Sequence, residues 1–574
     1  MANKKHKTLS RLLVLLLALI IILASALTYA YADGTDTPPE PPSGDMGQEP
    51  PGGFGGGPGG TPPDGAGNPG QEPPGGFGGG PGGAGGPSEM SAADITYTGV
   101  TEFTSDTREE GQTYSSTESD VQALLVTAGN SAVTKATVTK TGDSDGDDSD
   151  FYGTNAAVLV TGGSLDISDS DITTDGAHAN AVFAYGDGAI TISDSTINTT
   201  SNNSGAVMVT GGGTLTANDL TVNTKGNSSA PIRSDRGGGT MTINGGTYES
   251  NGIGSPVVYS TADVYVNGAE MISTASEGVV VEGKNSVTLN NVTLTADNNT
   301  HNGKSETYKA IFLYQSMSGD AEEGTADFTA KDSVINVLNG DTIFVTNTTA
   351  NVTLENNEIN NESGDLLRIQ TGAWGNEGSN GGHVTAVLTN QKVDGDIIVD
   401  SISTLDLTLQ SGSVLTGAID TDDQARQLDL TMTADSVLVL TGDTYLDSLT
   451  NEDAENSNIY LNGCKLYVAG SETAANEGSY AESGETSEDE AAEGSTSSNV
   501  APYVVGVIVL AAVVAGAAVL SRKKKAAEAV TPEDAGAEAG AEVEAEAGTD
   551  AGAEADAELD TQADAEVDTQ AEQE

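Results

Sequence analysis

The sequence predicts an all-β solenoid, a parallel β-helix, and three observations carry that expectation. An apolar pattern Φ-x-Φ-x4-Φ recurs at Leu165/Ile167/Ile172, Ile190/Ile192/Ile197, Leu215/Ala217/Val222, Met241/Ile243/Tyr248, Val264/Val266/Met271 and Val287/Leu289/Leu294, in steps of 25, 25, 26, 23 and 23 residues. A fixed period of this size marks a stacked-repeat architecture, because one unit cannot bury its apolar face alone. A second apolar stretch precedes each copy, as in Ala157–Val160, Ala181–Phe183, Ala206–Val209 and Gly278–Val281, so each coil holds at least three short strands. The turns between them use Gly, Asn and Asp, which accept left-handed backbone geometry.

From the N-terminus, residues 1–32 read as a signal peptide. Lys4, Lys5, Lys7 and Arg11 precede an apolar run from Leu12 to Leu27, and Ala30-Tyr31-Ala32 offers a small-x-small cleavage site. An uncleaved anchor is the alternative, although the run is short for a span. Residues 33–90 form a Pro/Gly-rich spacer in which one 13-residue segment occurs twice, at 48–60 and 71–83. Such composition buries no core and is expected to stay extended or disordered.

The β-helix is expected over 91–470. Beyond the six copies above, the pattern continues at Phe328/Ala330/Ile335, Val352/Leu354/Ile359, Ala386/Leu388/Val393, Leu407/Leu409/Val414, Leu430/Met432/Val437 and Ile459/Leu461/Leu466, with a weaker copy at Ser131/Val133/Val138. Thirteen coils stacked at roughly 4.8 Å would make a rod about 60 Å long. Asn218, Asn244, Asn267, Asn290 and Asn462 follow the second apolar position and suggest a structural turn ladder. The period slips at Thr141–Asp150, Asn298–Tyr308, Ser316–Gly324 and Thr371–Gly382, where inserted loops are expected on a binding face.

Residues 471–499, rich in Ser and Glu, read as a stalk. Residues 500–520 are apolar and long enough to cross a bilayer, and Arg522 with Lys523, Lys524 and Lys525 follows at once. The positive-inside rule places that cluster in the cytoplasm, so the expected arrangement is a single-pass type I membrane protein with an extracellular ectodomain. Residues 521–574 form an acidic tail with no core-forming pattern, expected to be disordered. The layout resembles Gram-positive wall-anchored proteins, but no Leu-Pro-x-Thr-Gly motif precedes the span, which favours a membrane anchor.

Charge narrows the partners. The chain has 85 Asp and Glu against 22 Lys and Arg, a net charge of −63. Eight of the cations sit in the two terminal clusters, leaving 14, and the tail from Ala526 holds 17 of the acids, leaving 68. Nucleic-acid binding requires a basic footprint that this chain lacks. Cys464 is the single cysteine, so no internal disulfide exists.

Coil length, stacked Φ-x-Φ segments and Asn-bearing turns resemble right-handed parallel β-helix proteins of the pectin-lyase-like class over most of residues 95–470. The resemblance implies a fold shared by extracellular lyases, polygalacturonases, sugar-binding modules and bacterial adhesins. The catalytic clusters of the enzymes do not match residue by residue.

Three places depart from the bland Thr/Gly/Ser surface. Arg233, Asp235 and Arg236 interrupt it, and counting five residues before each first apolar position gives a column of Tyr185, Thr210, Arg236, Tyr259 and Glu282, with Lys284 two residues beyond. Tyr stacks on sugar faces and Arg holds hydroxyls or carboxylates, so this patch is the ligand-binding candidate and the weak catalytic candidate; inter-coil salt bridges are the alternative. Asp143, Asp145, Asp147, Asp148 and Asp150 alternate as carboxylates that could wrap calcium, or form a solvated loop. Trp374, the sole tryptophan, stands on a Gly-rich loop as a carbohydrate platform or as packing against the rod. The function expected is a cell-surface protein of adhesin type that binds extracellular glycan or another cell without catalysis. The alternatives are a polysaccharide lyase or glycoside hydrolase, and a passive structural surface element.

Overall fold

The computed structural model describes residues 95–480 apart from 304, 306 and 362–364. The signal peptide, the spacer, the membrane segment and the tail expected from the sequence lie outside the described residues. The described chain is a parallel β-solenoid of about 15 turns, the right-handed parallel β-helix class expected. Among these residues no helix is long and apolar enough to cross a membrane.

Each coil carries three strands. The first two lie in one 24-stranded sheet, because Val158–Ser168 and Val182–Ser193 run unbroken through both positions. The third lies in a 10-stranded sheet that begins at Thr113–Ser116 and ends at Glu358–Asn361, with smaller sheets after it. Equivalent apolar residues stack in register: Leu165 on Ile190 on Leu215 on Met241 on Val264 on Val287 on Phe328. The resulting core runs from Phe103 to Leu466 as one cluster.

The x4 gap in the repeat has a structural cause. Two residues after the second apolar position, the backbone turns left-handed at Asp169, Asp194, Asp219, Asn291, Asp332, Asn356 and Asn390, all with φ between 46 and 55°. Asp and Asn enter that region at lower cost than other non-glycine residues. The next residue points inward and ties coils together. Ser195 Oγ accepts from Ser170 N at 3.0 Å, and Gln391 Oε1 accepts from Asn357 N at 2.9 Å.

The structure corrects the repeat in four places. After Leu409 and after Met432 the turn is one residue longer, so Leu415 and Leu438 are buried in register with Val393, whereas Val414 and Val437 are only half-buried. The copy at Ile459/Leu461/Leu466 is out of phase: Ile459 pairs with Leu438 in the third-strand position, and Leu466 pairs with Thr444 in another sheet. Asn462 therefore leaves the ladder that Asn218, Asn244, Asn267 and Asn290 share. Within that ladder Asn244 donates to Asn218 at 3.0 Å and Asn267 to Asn244 at 3.1 Å. An earlier coil, Gly99–Phe103, Arg108–Glu110 and Thr113–Ser116, carries no readable copy because Glu109 stands in register with Val133 and accepts a 2.6 Å bond from the Tyr114 hydroxyl.

The solenoid also runs past 470. Ser471–Glu472 pairs antiparallel with Leu466–Val468, Asn476 bridges Tyr460, and the Tyr480 ring lies 5.2 Å from that of Tyr460. This segment closes the last sheet edge, which would otherwise present unpaired backbone groups.

Candidate functional site

The first strand of each coil has an outward column that the repeat does not predict. Phe183, Met208, Arg233, Tyr259, Val280, Phe312, Phe344 and Arg368 stack in register along the rod. Six of the eight are nonpolar or aromatic residues under 5% exposed, although they face away from the core. The inserted segments cover them. The short helix Asp148–Tyr152 lies over one end, where the Thr210 hydroxyl donates to Phe151 O at 2.6 Å. Gly153 ends that helix at φ 75°, and a Cβ there would come within 2.8 Å of Leu159. Segments 298–308, 315–324 and 370–381 lie between strands farther along.

The column read from the sequence mixes two structural columns. Tyr185 does pair with Thr210, but Arg233 rather than Arg236 pairs with Tyr259, and Glu282 pairs with Tyr314. Counting back from the second strand fails because the turn between the first two strands varies in length. Arg236 sits in that turn.

Under the helix, four ionisable groups form a buried chain. Arg233 Nη1 lies 3.2 Å from Asp150 Oδ1, Arg233 Nη2 lies 3.2 Å from Asp235 Oδ2, and His178 Nδ1 lies 3.0 Å from Asp150 Oδ2. Asn180 donates to Asp150 at 3.2 Å. Arg236 joins the inserts: its guanidinium lies 3.8 Å from the centre of the Phe151 ring and its Nε lies 2.8 Å from Asp320 Oδ1. Beside it, Glu282 accepts from the hydroxyls of Tyr259 at 2.5 Å, Tyr314 at 2.9 Å and Ser316.

Electrostatics separates the two partners of Arg233. Burial pushes the Asp150 carboxyl up, but Arg233 and His178 more than offset this and hold it below the usual range. Burial likewise opposes the His178 charge, and the bond to Asp150 outweighs it, so its pKa is raised. Asp235 is pushed up to about 8 by burial, only partly opposed by Arg233, with Asp320 and Asp150 adding to the rise. One guanidinium serves two buried carboxylates, and Asp150 has the larger share of positive neighbours. Glu282 is raised by burial despite its three hydroxyl donors.

A pH dependence follows. The unfolded chain loses the Asp235 proton near its ordinary pKa of 3.8, whereas the folded chain keeps it to about 8. Between those values the unfolded state binds fewer protons, so this group makes stability fall as pH rises. His178 acts in the same direction at and above its ordinary pKa of 6.5. Asp235→Asn is expected to flatten the fall in melting temperature between pH 4 and 6, where His178 contributes little. An unchanged slope in thermal melts would contradict this assignment.

The remaining sequence candidates divide. Tyr185 is half-buried against Tyr152, with ring centres 5.8 Å apart, and Lys284 is exposed with its Nζ 3.5 Å from Glu322. Asp150 is committed to Arg233 and His178, and Asp143 accepts from Ala177 N at 2.8 Å. Asp147 and Asp148 stand at the start of the short helix, and among the described residues no group of three or more His, Cys, Asp or Glu could hold a metal ion.

Trp374 does meet an open feature. It packs on Phe312 and Tyr314, with ring centres 5.2 and 5.1 Å away, and walls a cleft of about 510 Å3 lined also by Ser305, Thr307, Phe344, Gln370 and Thr371. Asn380 fixes this loop by donating to Gly372 O at 3.0 Å and Trp374 O at 2.9 Å. The sequence reading found Trp374 but missed Phe344 and the polar rim. The signal was present in Ile311-Phe312-Leu313-Tyr314 and Ile343-Phe344-Val345, unbroken apolar runs that mark strands covered on both faces. No protein-family model, no curated protein and no solved structure matches the chain.

Proposed function

We propose that this protein is a membrane-anchored bacterial cell-surface β-helix protein that binds extracellular glycan, on a polymer or on another cell, without catalysis. The cleft lined by Phe344 and Trp374 carries the reading: a half-buried indole on a loop held by Asn380, with hydroxyl and amide residues in the lining, suits a pyranose ring. The anchor rests on the apolar run 500–520 and the basic cluster after it. Arg233 and Asp235, at 9% and 5% exposure, are paired with one another, and Arg233 is also paired with Asp150, which favours a structural role for them over lyase or hydrolase chemistry. The full chain, reconstituted in lipid vesicles, is expected to retain vesicles on a glycan array. Retention on no glycan would refute binding. Product release from acidic polysaccharide with calcium, lost in Arg236→Ala, would establish the enzyme instead.

A further inference from the structure

We infer that the Phe344–Trp374 cleft takes an uncharged stretch of polysaccharide and discriminates against uronate or sulfated chains. This rests on the glycan-binding reading above and names the class of chain that the same site accepts.

The polar residues among the described lining, Ser305, Thr307, Gln370 and Thr371, are all uncharged, and Lys309 Nζ donates to Ser305 Oγ and to Thr307 O. Two neighbouring cations among the described residues, Lys309 and Arg368, are paired with carboxylates. Lys309 Nζ lies 3.2 Å from Glu277 Oε1 and 4.4 Å from the centre of the Phe312 ring. Arg368, next after Phe344 in register, lies 2.7 Å from Asp341 Oδ2 and also pairs with Asp365. Two cations thus face three carboxylates beside the cleft.

The wider field points the same way. Outside the acidic tail and the two terminal basic clusters, 68 acids face 14 bases. A carboxylate or sulfate entering the cleft meets net negative charge at long range and no uncommitted cation among the described lining residues. A neutral chain carries no such cost: its apolar ring face can rest on the half-buried Trp374 while its hydroxyls reach Gln370 and the Thr rim.

The test is equilibrium binding of the detergent-solubilised full chain to soluble neutral β-glucan, mannan and xylan, and to polygalacturonate. At least one neutral polymer is expected to bind, with polygalacturonate weaker by at least about ten-fold at low salt and the gap narrowing as salt screens the field. Trp374→Ala and, separately, Gln370→Ala are expected to weaken the neutral polymer by about ten-fold, or about 1.4 kcal/mol. Gln370→Ala guards against a folding defect in the loop variant. Polygalacturonate binding as tightly as the neutral polymers and depending on Trp374 would overturn the neutral class and leave glycan binding standing. Neutral binding untouched by both substitutions would overturn the cleft as its seat. Binding of no polymer would defeat this inference together with the glycan reading.

Discussion

Replacing Arg233 by alanine is expected to destabilise the solenoid by about 3–5 kcal/mol, because it leaves the buried Asp150 carboxylate without its cation and the buried Asp235 carboxyl without its partner. Arg233 bonds Asp150 and Asp235 at 3.2 Å each, and its side chain is 11% exposed against 8% and 6% for theirs. The loss should carry a pH signature. Arg233 does most to hold Asp150 below its ordinary range against burial, so without the guanidinium that carboxyl keeps its proton to higher pH, whereas Asp235 already keeps its own to about 8. A raised folded pKa binds more protons than the unfolded chain, so the Arg233→Ala deficit should grow as pH rises from about 4. Stability in a solenoid is a sum over neighbouring coils, so amide hydrogen exchange should show the loss concentrated near Val158–Ser260 rather than spread along the rod. A deficit below about 1 kcal/mol, or one independent of pH, would mean that the triad is incidental. The triple variant Arg233→Met, Asp150→Leu, Asp235→Leu should recover much of the loss, since well-packed apolar groups can replace a buried ion set.

Phe328→Ala is expected to cost about 3–5 kcal/mol, the usual range for deleting a buried aromatic ring. Phe328 is 1% exposed and stacks in register between Val287 and Val352. The coil cannot collapse into the vacancy, because its backbone is held on both sides by parallel ladders. Denaturant unfolding and hydrogen exchange in Ser286–Asn290 and Thr348–Glu355 measure the effect. A cost under about 1 kcal/mol would show that the neighbouring coils do close the gap. The same substitution should leave glycan binding at Trp374 intact at temperatures where the fold persists, because Phe328 faces the core and the cleft lies on the outer face of a different strand.

Legibility differed between the two faces of each strand. The inward residues repeat every coil, so Leu165, Ile190 and Leu215 announce their stacking without coordinates. The slips in that period also located the inserts that form the lids, since a loop cannot be added without lengthening a coil. The outward residues follow no period. Arg233 and Asp150 lie 83 residues apart, and Arg236 and Asp320 lie 84 apart; no local pattern links such pairs. A single extra turn residue was enough to misplace Val414 and Val437, and a turn longer by three residues aligned Arg236 with Tyr259.

The parallel β-solenoid, most of its coils, the place of each insert and Trp374 as a residue apart were all readable from residue order alone. They were readable because side-chain burial in a stacked coil repeats with chain position, and turn chemistry repeats with it. Three-dimensional packing was needed to see that Arg233 pairs with Asp235 and Tyr259 with Glu282, all four covered, and that Trp374 and Phe344 line one cleft. Those contacts depend on how far each insert folds back over the sheet, and that is set by long-range packing against residues in other coils.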